Sequence, residues 1–307
     1  MATRPVLRGW RARCCAPLLA LLTTAAAAQP QRTVALTFDD IPGVAYPGAD
    51  VCDARAVSAW NAKLLATLRA HRAPALGLVV ASNTCDGSVP LAPILDAWLA
   101  AGHGLGNHTF SHRDFNAMTL AEYEKDVIRG EAPLRAALAR HGRKLVYFRH
   151  PLLHTGDTAA KKAGLAAFLR QRGYVVAPVT LDNQEWVFAN AYARTLDKRI
   201  AEAYVPFMES TVAFFEKRTG EVVGRDIPQI LLLHMNALNA DTLDELLRMF
   251  ERRGYRFITV DEALRDPAYA LRDGYTGRQG ISWIHRWGVA KGMPVMMEPR
   301  EPDWVRR

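Results

Sequence analysis

Several polar residues that could do chemistry stand at the ends of apolar runs. The runs and the residues that follow them are ALTF with Asp39 and Asp40, GLGN with His108, KLVYF with Arg149, YVVAPVTL with Asp182 and QILLL with His234. If these runs are parallel strands, their carboxyl ends lie on one face of the sheet, where catalytic residues gather. One polar strand end would mean little, but five in succession predict a catalytic centre on that face.

Two histidines in NHTFSH suggest a metal site. His108 and His112 are four residues apart, and on a helical turn this spacing puts both imidazoles on one face, where they can bind one ion. The spacing alone is weak evidence. A carboxylate added to the two imidazoles makes a three-ligand set with an open position, which is typical of a catalytic rather than a structural zinc site.

The adjacent acids Asp39 and Asp40 are expected to differ in role. Neighbouring residues of a strand point to opposite sides, so one acid would bind the metal and the other would act as a base. The base could take a proton from a water molecule whose pKa the ion lowers. The alternative is a solvated pair of acids that merely ends a strand. His234 has two interpretations as well, a core histidine or a catalytic one.

The elements that must position these residues alternate along the chain. The patterns predict strands at 33–39, 73–80, 104–108, 144–149, 174–181, 229–234 and 255–260. They predict helices at 55–71, 91–101, 119–141, 157–172, 190–218, 241–253 and 261–265. Strands alternating with helices indicate an α/β fold with a parallel sheet, and seven strands favour a (β/α) barrel over an open sheet.

The first 28 residues have the pattern of a signal peptide. Four arginines and no acid precede the apolar run CAPLLALLTTAAAA, and small residues follow it. An uncleaved membrane anchor is the alternative, but the run is shorter than the roughly 20 residues that a span needs. We expect a protein exported to the periplasm or the extracellular space, with no transmembrane segment in the mature chain. The barrel domain is then 29–271, and 272–307 form an irregular extension packed on it.

Charge and cysteine content agree with this organisation. The chain has a formal net charge of +8, and about +4 remains without the four leader arginines. That balance, with no basic run interleaved with aromatic residues, does not indicate nucleic-acid binding. Outside the leader, Cys52 and Cys85 remain, and two cysteines in an exported chain suggest one disulfide. Two unpaired thiols are the alternative.

Four motifs, TFDD, HTFSH, FRHP and LLLH, resemble in order and spacing those of the NodB-type polysaccharide deacetylases, carbohydrate esterase family four. The resemblance covers about 33–265. It implies a distorted (β/α) barrel with seven to eight parallel strands. It also implies that Asp39 is the general base, and that Asp40, His108 and His112 bind a divalent metal, most often Zn²⁺, with Co²⁺ or another ion possible.

The resemblance assigns further roles. Arg149 would orient Asp39 and hold its pKa down, and Pro151 would line the substrate site beside it. His234 would be the general acid that protonates the leaving amine. Leu232 would line a small apolar pocket for the acetyl methyl group.

Two departures from the family pattern stand out. The family usually has an Asp before a Trp, and that acid tunes the catalytic histidine; here Glu185 precedes Trp186, and Asp182 lies three residues before Glu185. Either carboxylate could partner His234, and we favour Asp182 because it directly follows the strand. Trp186 is expected to line the site. Ile41 replaces the family's common glycine, which predicts a bulkier loop there.

The predicted reaction is removal of N-acetyl groups from an N-acetylglucosamine-type polysaccharide or oligosaccharide. The oxyanion would be held by the metal and by the backbone N–H of Thr109 or Phe110. Two alternatives stay open. The same metal site could hydrolyse acetyl esters or non-sugar amides, or the barrel could bind glycan and have lost turnover.

Overall fold

The computed structural model describes residues 1–2, 32–44 and 52–306. The chain divides into two units, Met1–Pro30 and Gln31–Arg307. Of the first unit only Met1 and Ala2 are described, so the rest of the predicted signal peptide lies outside the described residues. All elements named below belong to the second unit.

Strands and helices alternate as expected. Within the described residues the strands are β1 Arg32–Ile41, β2 Ala75–Val79, β3 Gly104–Asn107, β4 Tyr147–Phe148, β5 Val175–Val176, β6 Gln229–His234 and β7 Tyr255–Ile258. The helices of the same ranges are α1 Ala54–Ala70, α2 Leu91–Ala100, α3 Leu120–Arg140, α4 Ala159–Gln171, α5 Glu185–Thr195, α6 Lys198–Val223, α7 Ala237–Arg252, α8 Val260–Ala263 and α9 Trp283–Ala290. Among these described helices, we find no stretch with the length and hydropathy of a membrane span.

The sheet is parallel and curls towards closure. Its strand order is β5-β4-β3-β2-β1-β6, and β7 pairs with the beginning of β1. The open side is closed by an isolated parallel bridge between Leu181, beyond β5, and Leu231 of β6. Beside it, the backbone N–H of Thr180 donates to the carbonyl of Ile230 over 3.0 Å. The predicted α/β fold, a distorted barrel of parallel strands, is confirmed.

Strand β1 forms the centre of the sheet because both of its faces are covered. Val34, Leu36 and Phe38 are completely buried, as expected of a parallel strand packed against helices on one side and against the barrel interior on the other. The ring of Phe38 meets the edge of Trp98 from α2 at 5.9 Å between centroids. This rigid strand fixes where the acids that follow Phe38 lie.

One predicted helix is in fact two. The pattern at 190–218 suggested a single long helix, whereas α5 ends at Thr195 and α6 begins at Lys198. Leu196 adopts a left-handed conformation with φ of 50°, and the side chain of Asp197 caps α6 by accepting from the N–H of Arg199. The local backbone therefore overrides the continuous helical periodicity.

The segment from residue 272 is not irregular throughout, because it contains α9. The N–H of Trp283 donates to the carbonyl of Val179 over 2.7 Å. Arg286, which is completely buried, donates to the carbonyl of Leu153 and to the hydroxyl of Thr155. These contacts seat α9 against the loops that follow β4 and β5.

The predicted disulfide between Cys52 and Cys85 is confirmed, with an S–S distance of 2.08 Å. It joins the segment after β1 to the segment after β2. Because β1 and β2 are parallel neighbours, both segments leave the sheet at the same end, which brings the two cysteines together.

Candidate active site

Neighbouring strand ends bring the predicted polar residues together. Asp39 of β1 is the register partner of His234, the last residue of β6. On the other side of β1, β2 leads to β3, whose last residue, Asn107, precedes His108. Arg149 follows β4, and its backbone N–H donates to the carbonyl of Asn107 over 3.0 Å. The parallel register thus gathers carboxylates, imidazoles and a guanidinium at one place.

The two adjacent carboxylates converge instead of pointing to opposite sides. Asp40 has a φ of 64°, which a regular strand does not allow, and the register of β1 with β2 shifts between Phe38 and Ile41. As a result, Nε2 of His108 lies 3.5 Å from Oδ2 of Asp39 and 3.8 Å from Oδ1 of Asp40. The alternation expected for a regular strand is wrong here because the backbone turns at Asp40.

Asp40, His108 and His112 form a group that could hold a metal ion. One ligand atom from each lies within 4.8 Å of the other two, and Nε2 of His112 is 3.5 Å from Oδ1 of Asp40. That Oδ1 atom is buried and has no hydrogen-bond partner within residues 32–44 and 52–306, which is costly for a carboxylate unless a cation satisfies it. Two imidazoles and one carboxylate are a donor set that suits Zn²⁺ or a similar divalent ion.

The imidazole of His108 is prepared as a neutral ligand. Its Nδ1 lies 3.0 Å from the carbonyl oxygen of Arg149; since that oxygen can only accept, Nδ1 carries the proton and Nε2 keeps its lone pair. Burial, helped by the charge of the nearby His112, lowers the pKa of His108 to about 3. A neutral imidazole with a free Nε2 is the form that binds a metal.

Asp39 is held by a buried arginine. Nη1 of Arg149 donates to Oδ1 of Asp39 over 2.9 Å and to the hydroxyl of Thr37 over 2.6 Å, and its Nε donates to the carbonyl of Ala177. Burial raises the pKa of Asp39 above its usual value, although the charges of Arg149 and His234 lower it in part. Arg149 therefore lowers the pKa of Asp39 as expected, but burial outweighs the guanidinium and the net shift is upward.

His234 is paired with Glu185. Its Nδ1 lies 2.6 Å from Oε2 of Glu185, whose Oε1 accepts from the side-chain amides of Asn236 and Asn239 over 2.6 and 3.0 Å. Burial lowers the pKa of His234, but the charge and hydrogen bond of Glu185 and the charges of the two aspartates outweigh it and raise the pKa to about 9. Sequence reasoning missed both asparagines, although MNALN places two amides three residues apart just after His234.

The choice of Asp182 as the partner of His234 is wrong. Asp182 instead accepts from the backbone N–H of Asn183 over 2.9 Å. Asn183 shapes the turn, because its Oδ1 accepts from the N–H of Glu185 and so starts α5 with that carboxylate beside the imidazole. Burial and the charge of Glu298 raise the pKa of Asp182 to about 8.

The loop that ends at His112 already uses its backbone donors. The N–H of Thr109 donates to Oδ1 of Asn107 over 2.9 Å, and that of Phe110 donates to the carbonyl of Asp126 over 3.1 Å. The expectation that one of them stabilises an oxyanion is wrong, since neither is free. Thr109 contributes through its hydroxyl, which accepts from the N–H of His112 over 3.0 Å.

Sequence reasoning also missed the residues that hold this loop. Nδ2 of Asn107 donates to the hydroxyl of Tyr174 over 2.8 Å, and that hydroxyl donates to Oε1 of the buried Glu131 over 3.1 Å. Gly130 lets α3 approach the loop, because a Cβ there would lie 2.7 Å from Oδ1 of Asn107. For Asn107 the sequence did offer a signal, because a polar Asn stands at the end of an otherwise apolar strand.

The predicted groove residues have different surroundings. Pro151 is buried, whereas Trp186, at the start of α5, is 45% exposed. Leu232 of β6 is 7% exposed, and its carbonyl accepts from Nδ2 of Asn183 over 2.7 Å. Ile41 is completely buried, so its bulk fills the core instead of enlarging the loop.

A barrel that carries an Asp-His-His group beside a buried carboxylate and a protonated histidine has the residue types of a metal-assisted hydrolase site. Residues 26–168 match the family model described as polysaccharide deacetylase. The resemblance of the motifs to NodB-type polysaccharide deacetylases is thereby confirmed.

Solved structures share the fold. The polysaccharide deacetylase Bc1974 from Bacillus cereus has a TM-score of 0.51 and 20% identity, over 75% of this chain and 92% of that one. A family 4 acetyl xylan esterase from Clostridium thermocellum, in complex with a cobalt ion, has a TM-score of 0.50 and 21% identity, over 76% and 91%. A CE4 family pseudoenzyme from Bacillus anthracis has a TM-score of 0.52 and 14% identity, over 76% of this chain and 66% of that one.

Proposed function

We propose that this protein is a metal-dependent deacetylase that removes N-acetyl groups from an N-acetylglucosamine-type glycan. The observation that carries the proposal is that three distinct groups of side chains, each with its own partners, lie at the same end of the sheet. Asp39 is paired with Arg149, His234 is paired with Glu185, and the ligand group defined by Asp40 leaves a buried oxygen without a partner. The three groups match the base, the acid and the cation that amide hydrolysis needs.

Asp40, His108 and His112 would hold the cation. When bound, a divalent cation supplies Lewis-acid polarisation of a carbonyl oxygen and lowers the pKa of water. Zn²⁺ fits the two imidazoles and one carboxylate, and Co²⁺ is a second candidate. The backbone carbonyl of Arg149 keeps His108 in the tautomer that this role requires.

The proton transfers belong to Asp39 and His234. Asp39 accepts a proton from the attacking water, and its raised pKa makes it a better base than an exposed aspartate. A C–O bond forms to the acetyl carbon, and the C–N bond then breaks. His234, whose pKa is about 9, gives its proton to the departing amine, so the products are acetate and a free amino sugar.

An exported location is part of the proposal. Disulfides such as Cys52–Cys85 form in oxidising compartments, where cell-wall and extracellular glycans are also found. The division of the chain into a leader of 1–28, a barrel domain of 29–271 and an extension of 272–307 remains a proposal too.

The test is acetate release from N-acetylglucosamine oligomers by protein loaded with Zn²⁺ or Co²⁺, with metal content measured on the same sample. Acetylated xylan serves as the ester arm. Faster acetate release from the ester than from the amide would indicate that acetyl esters are the substrate class. A metal-loaded protein that releases acetate from neither substrate contradicts the proposal and favours a binding barrel.

A further inference from the structure

A cleft of about 750 Å³ lies between the chain after β5 and the C-terminal segment. We call it the C-terminal cleft, and its lining includes Asp182, Gln184, Met297, Glu298, Arg300 and Glu301. It is a candidate binding surface outside the Asp-His-His group, and among the described residues it is formed largely by the segment beyond the region that resembles the family.

The C-terminal cleft brings two acids together, Asp182 and Glu298. In the described part of the chain, no lysine or arginine lies within ion-pair distance of Asp182 or Glu298. Asp182 accepts from the N–H of Asn183, and the ion-pair partner of Glu298 is the imidazole of His285 at 3.3 Å. Two acids that face each other in a half-buried cleft repel, so a cationic occupant would stabilise them.

A second observation points to a missing donor. Glu301 lines the C-terminal cleft and is only 4% exposed. One of its oxygens pairs with Nε of Arg306, but its Oε2 has no hydrogen-bond partner in the part of the chain that the structure describes. A buried carboxylate oxygen without a partner is costly, and an N–H donor on a ligand would relieve that cost.

The charges of the lining favour a cation as well. Four carboxyl groups of the lining, those of Asp182, Glu298, Glu301 and Asp303, stand against two arginines, Arg300 and Arg306. The charges of His234 and Arg286 also act on Asp182 from outside the lining. Repulsion within the pair agrees with the pKa of Asp182, which burial and the charge of Glu298 raise to about 8.

The C-terminal cleft is adjacent in sequence to Glu185, the partner of the proposed proton donor His234. Gln184, which lines the cleft, directly precedes Glu185. In the segment 182–185, Asp182 and Gln184 line the cleft. The intervening Asn183 donates to the carbonyl of Leu232 on β6, and Glu185 binds His234. The same short segment therefore forms one wall of the cleft and supports the imidazole.

We propose that the C-terminal cleft binds the ammonium group of an already deacetylated amino sugar in the same glycan chain. This inference rests on the proposed function, whose product is a primary amine of this kind. Glu298 is the ionic partner, Asp182 accepts a second N–H of the ammonium group, and Glu301 accepts a further N–H or O–H. Met297, which is 73% exposed at the rim, offers apolar surface to a sugar ring. A bound glycan that already carries free amines is then preferred over a fully acetylated one.

The first test is direct binding measured by calorimetry with the metal-loaded full chain. A glucosamine tetramer without acetyl groups is the cationic probe, and the N-acetylglucosamine tetramer is the neutral one. Glu298→Gln should weaken binding of the cationic probe about tenfold, since a charge-assisted hydrogen bond is lost, and should leave the neutral probe unaffected. Arg300→Gln should strengthen cationic binding, because it removes an opposing charge.

The matched control is Glu245→Gln, an equal charge change at an exposed position of α7. It should alter neither affinity. Equal binding of the cationic probe by wild type, Glu298→Gln and Arg300→Gln would overturn the inference. Because Arg300→Gln predicts a gain, a loss of folding in the other variant cannot imitate the expected pattern.

The second test compares acetate release from a fully acetylated tetramer and from one that carries a single free amine. We expect a higher kcat/KM for the second substrate in wild type and no preference in Glu298→Gln. Acetate release without any such preference would refute the inference and leave the proposed function intact. Glu298-dependent binding of the cationic probe by a protein that releases no acetate would refute the proposed function alone.

Discussion

Oε2 of Glu185 lies 2.6 Å from Nδ1 of His234, and the other oxygen of the same carboxylate is fixed by two asparagine amides. Glu185 is completely buried, so water does not compete for the hydrogen bonds of its carboxylate. It leaves Nε2 of His234 as the nitrogen available to a substrate. The pair thus has the geometry of a proton donor whose orientation and charge are both set by one carboxylate.

Replacing this carboxylate should shift the pH profile. The pKa of His234 is about 9 because Glu185 and the nearby acids outweigh burial. A general acid works while protonated, so activity should fall as pH rises through this pKa. In Glu185→Gln the stabilising charge is gone, the pKa falls, and the alkaline limb of kcat should move about one to three pH units towards acid. Both proteins are loaded with the same metal for this comparison, so that the effect of the ion cancels. An unshifted limb would show that another group donates the proton.

Substitutions of the two adjacent aspartates should have different effects on activity and metal content. Asp39→Asn should lower kcat by about 10²–10⁴ and keep the metal, because Asp39 is paired with Arg149 and lies outside the ligand group. Asp40→Asn should lose the metal, since it removes the negative charge of the carboxylate whose buried oxygen lacks a partner among the described residues. Metal content and acetate release on the same preparations separate the two effects. Metal loss in Asp39→Asn with retention in Asp40→Asn would reverse the assignment.

Tyr174 should influence metal affinity from a distance. Its hydroxyl links Glu131 to Asn107, and Asn107 holds the N–H of Thr109 in the loop that carries the histidines. Tyr174→Phe should therefore weaken metal binding about 10- to 100-fold, the usual effect of removing an outer partner of a ligand. Competition with a chelator measures it.

The matched control for this change is Tyr147→Phe. That hydroxyl, on β4, donates to Asp261 of α8 in an exposed hydrogen bond and is not one of the links that join Glu131 to Asn107. Its loss should leave metal affinity unchanged. Equal affinities in wild type and both variants would mean that the loop keeps its shape without the hydrogen-bonded chain.

The disulfide should account for a measurable part of the stability. It links residues 33 apart in sequence, and closing a loop of that length stabilises the folded chain by about 3 to 4 kcal/mol in the chain-entropy model. The double variant Cys52→Ala, Cys85→Ala should lose about that much free energy of unfolding in urea. Reduced wild type should match it. A loss below about 1 kcal/mol would indicate that the unfolded chain is not constrained by this link.

The fold and much of the site could be predicted because their signals are local. The apolar run before Asp39, the spacing of His108 and His112, and the apolar strand before His234 are each readable in a few residues. The partner of His234 was not, because Asp182 and Glu185 are equally near in sequence and the turn made by Asn183 decides between them. Likewise, the positive φ of Asp40 leaves no mark in a sequence that reads as a regular strand.

The break after α5 shows the same limit. Leu196 has no intrinsic preference for the left-handed conformation that it adopts, so neither composition nor periodicity at 190–218 reveals it.

The bridge between Leu181 and Leu231 divides the barrel into two parts with different support. The ligand group and Asp39 stand on or beside strands joined by consecutive ladders from β1 to β4, whereas Glu185 begins a helix just beyond the isolated bridge. In the proposed reaction, the residues that bind the cation are thus held by continuous strand pairing. Glu185, which sets the pKa of His234, is joined to the sheet through the short segment after the isolated bridge. Sequence changes in 182–185 can therefore alter the pKa of His234 while the cation site keeps its structure. Related chains could differ in the pH range of their activity through changes in this segment alone.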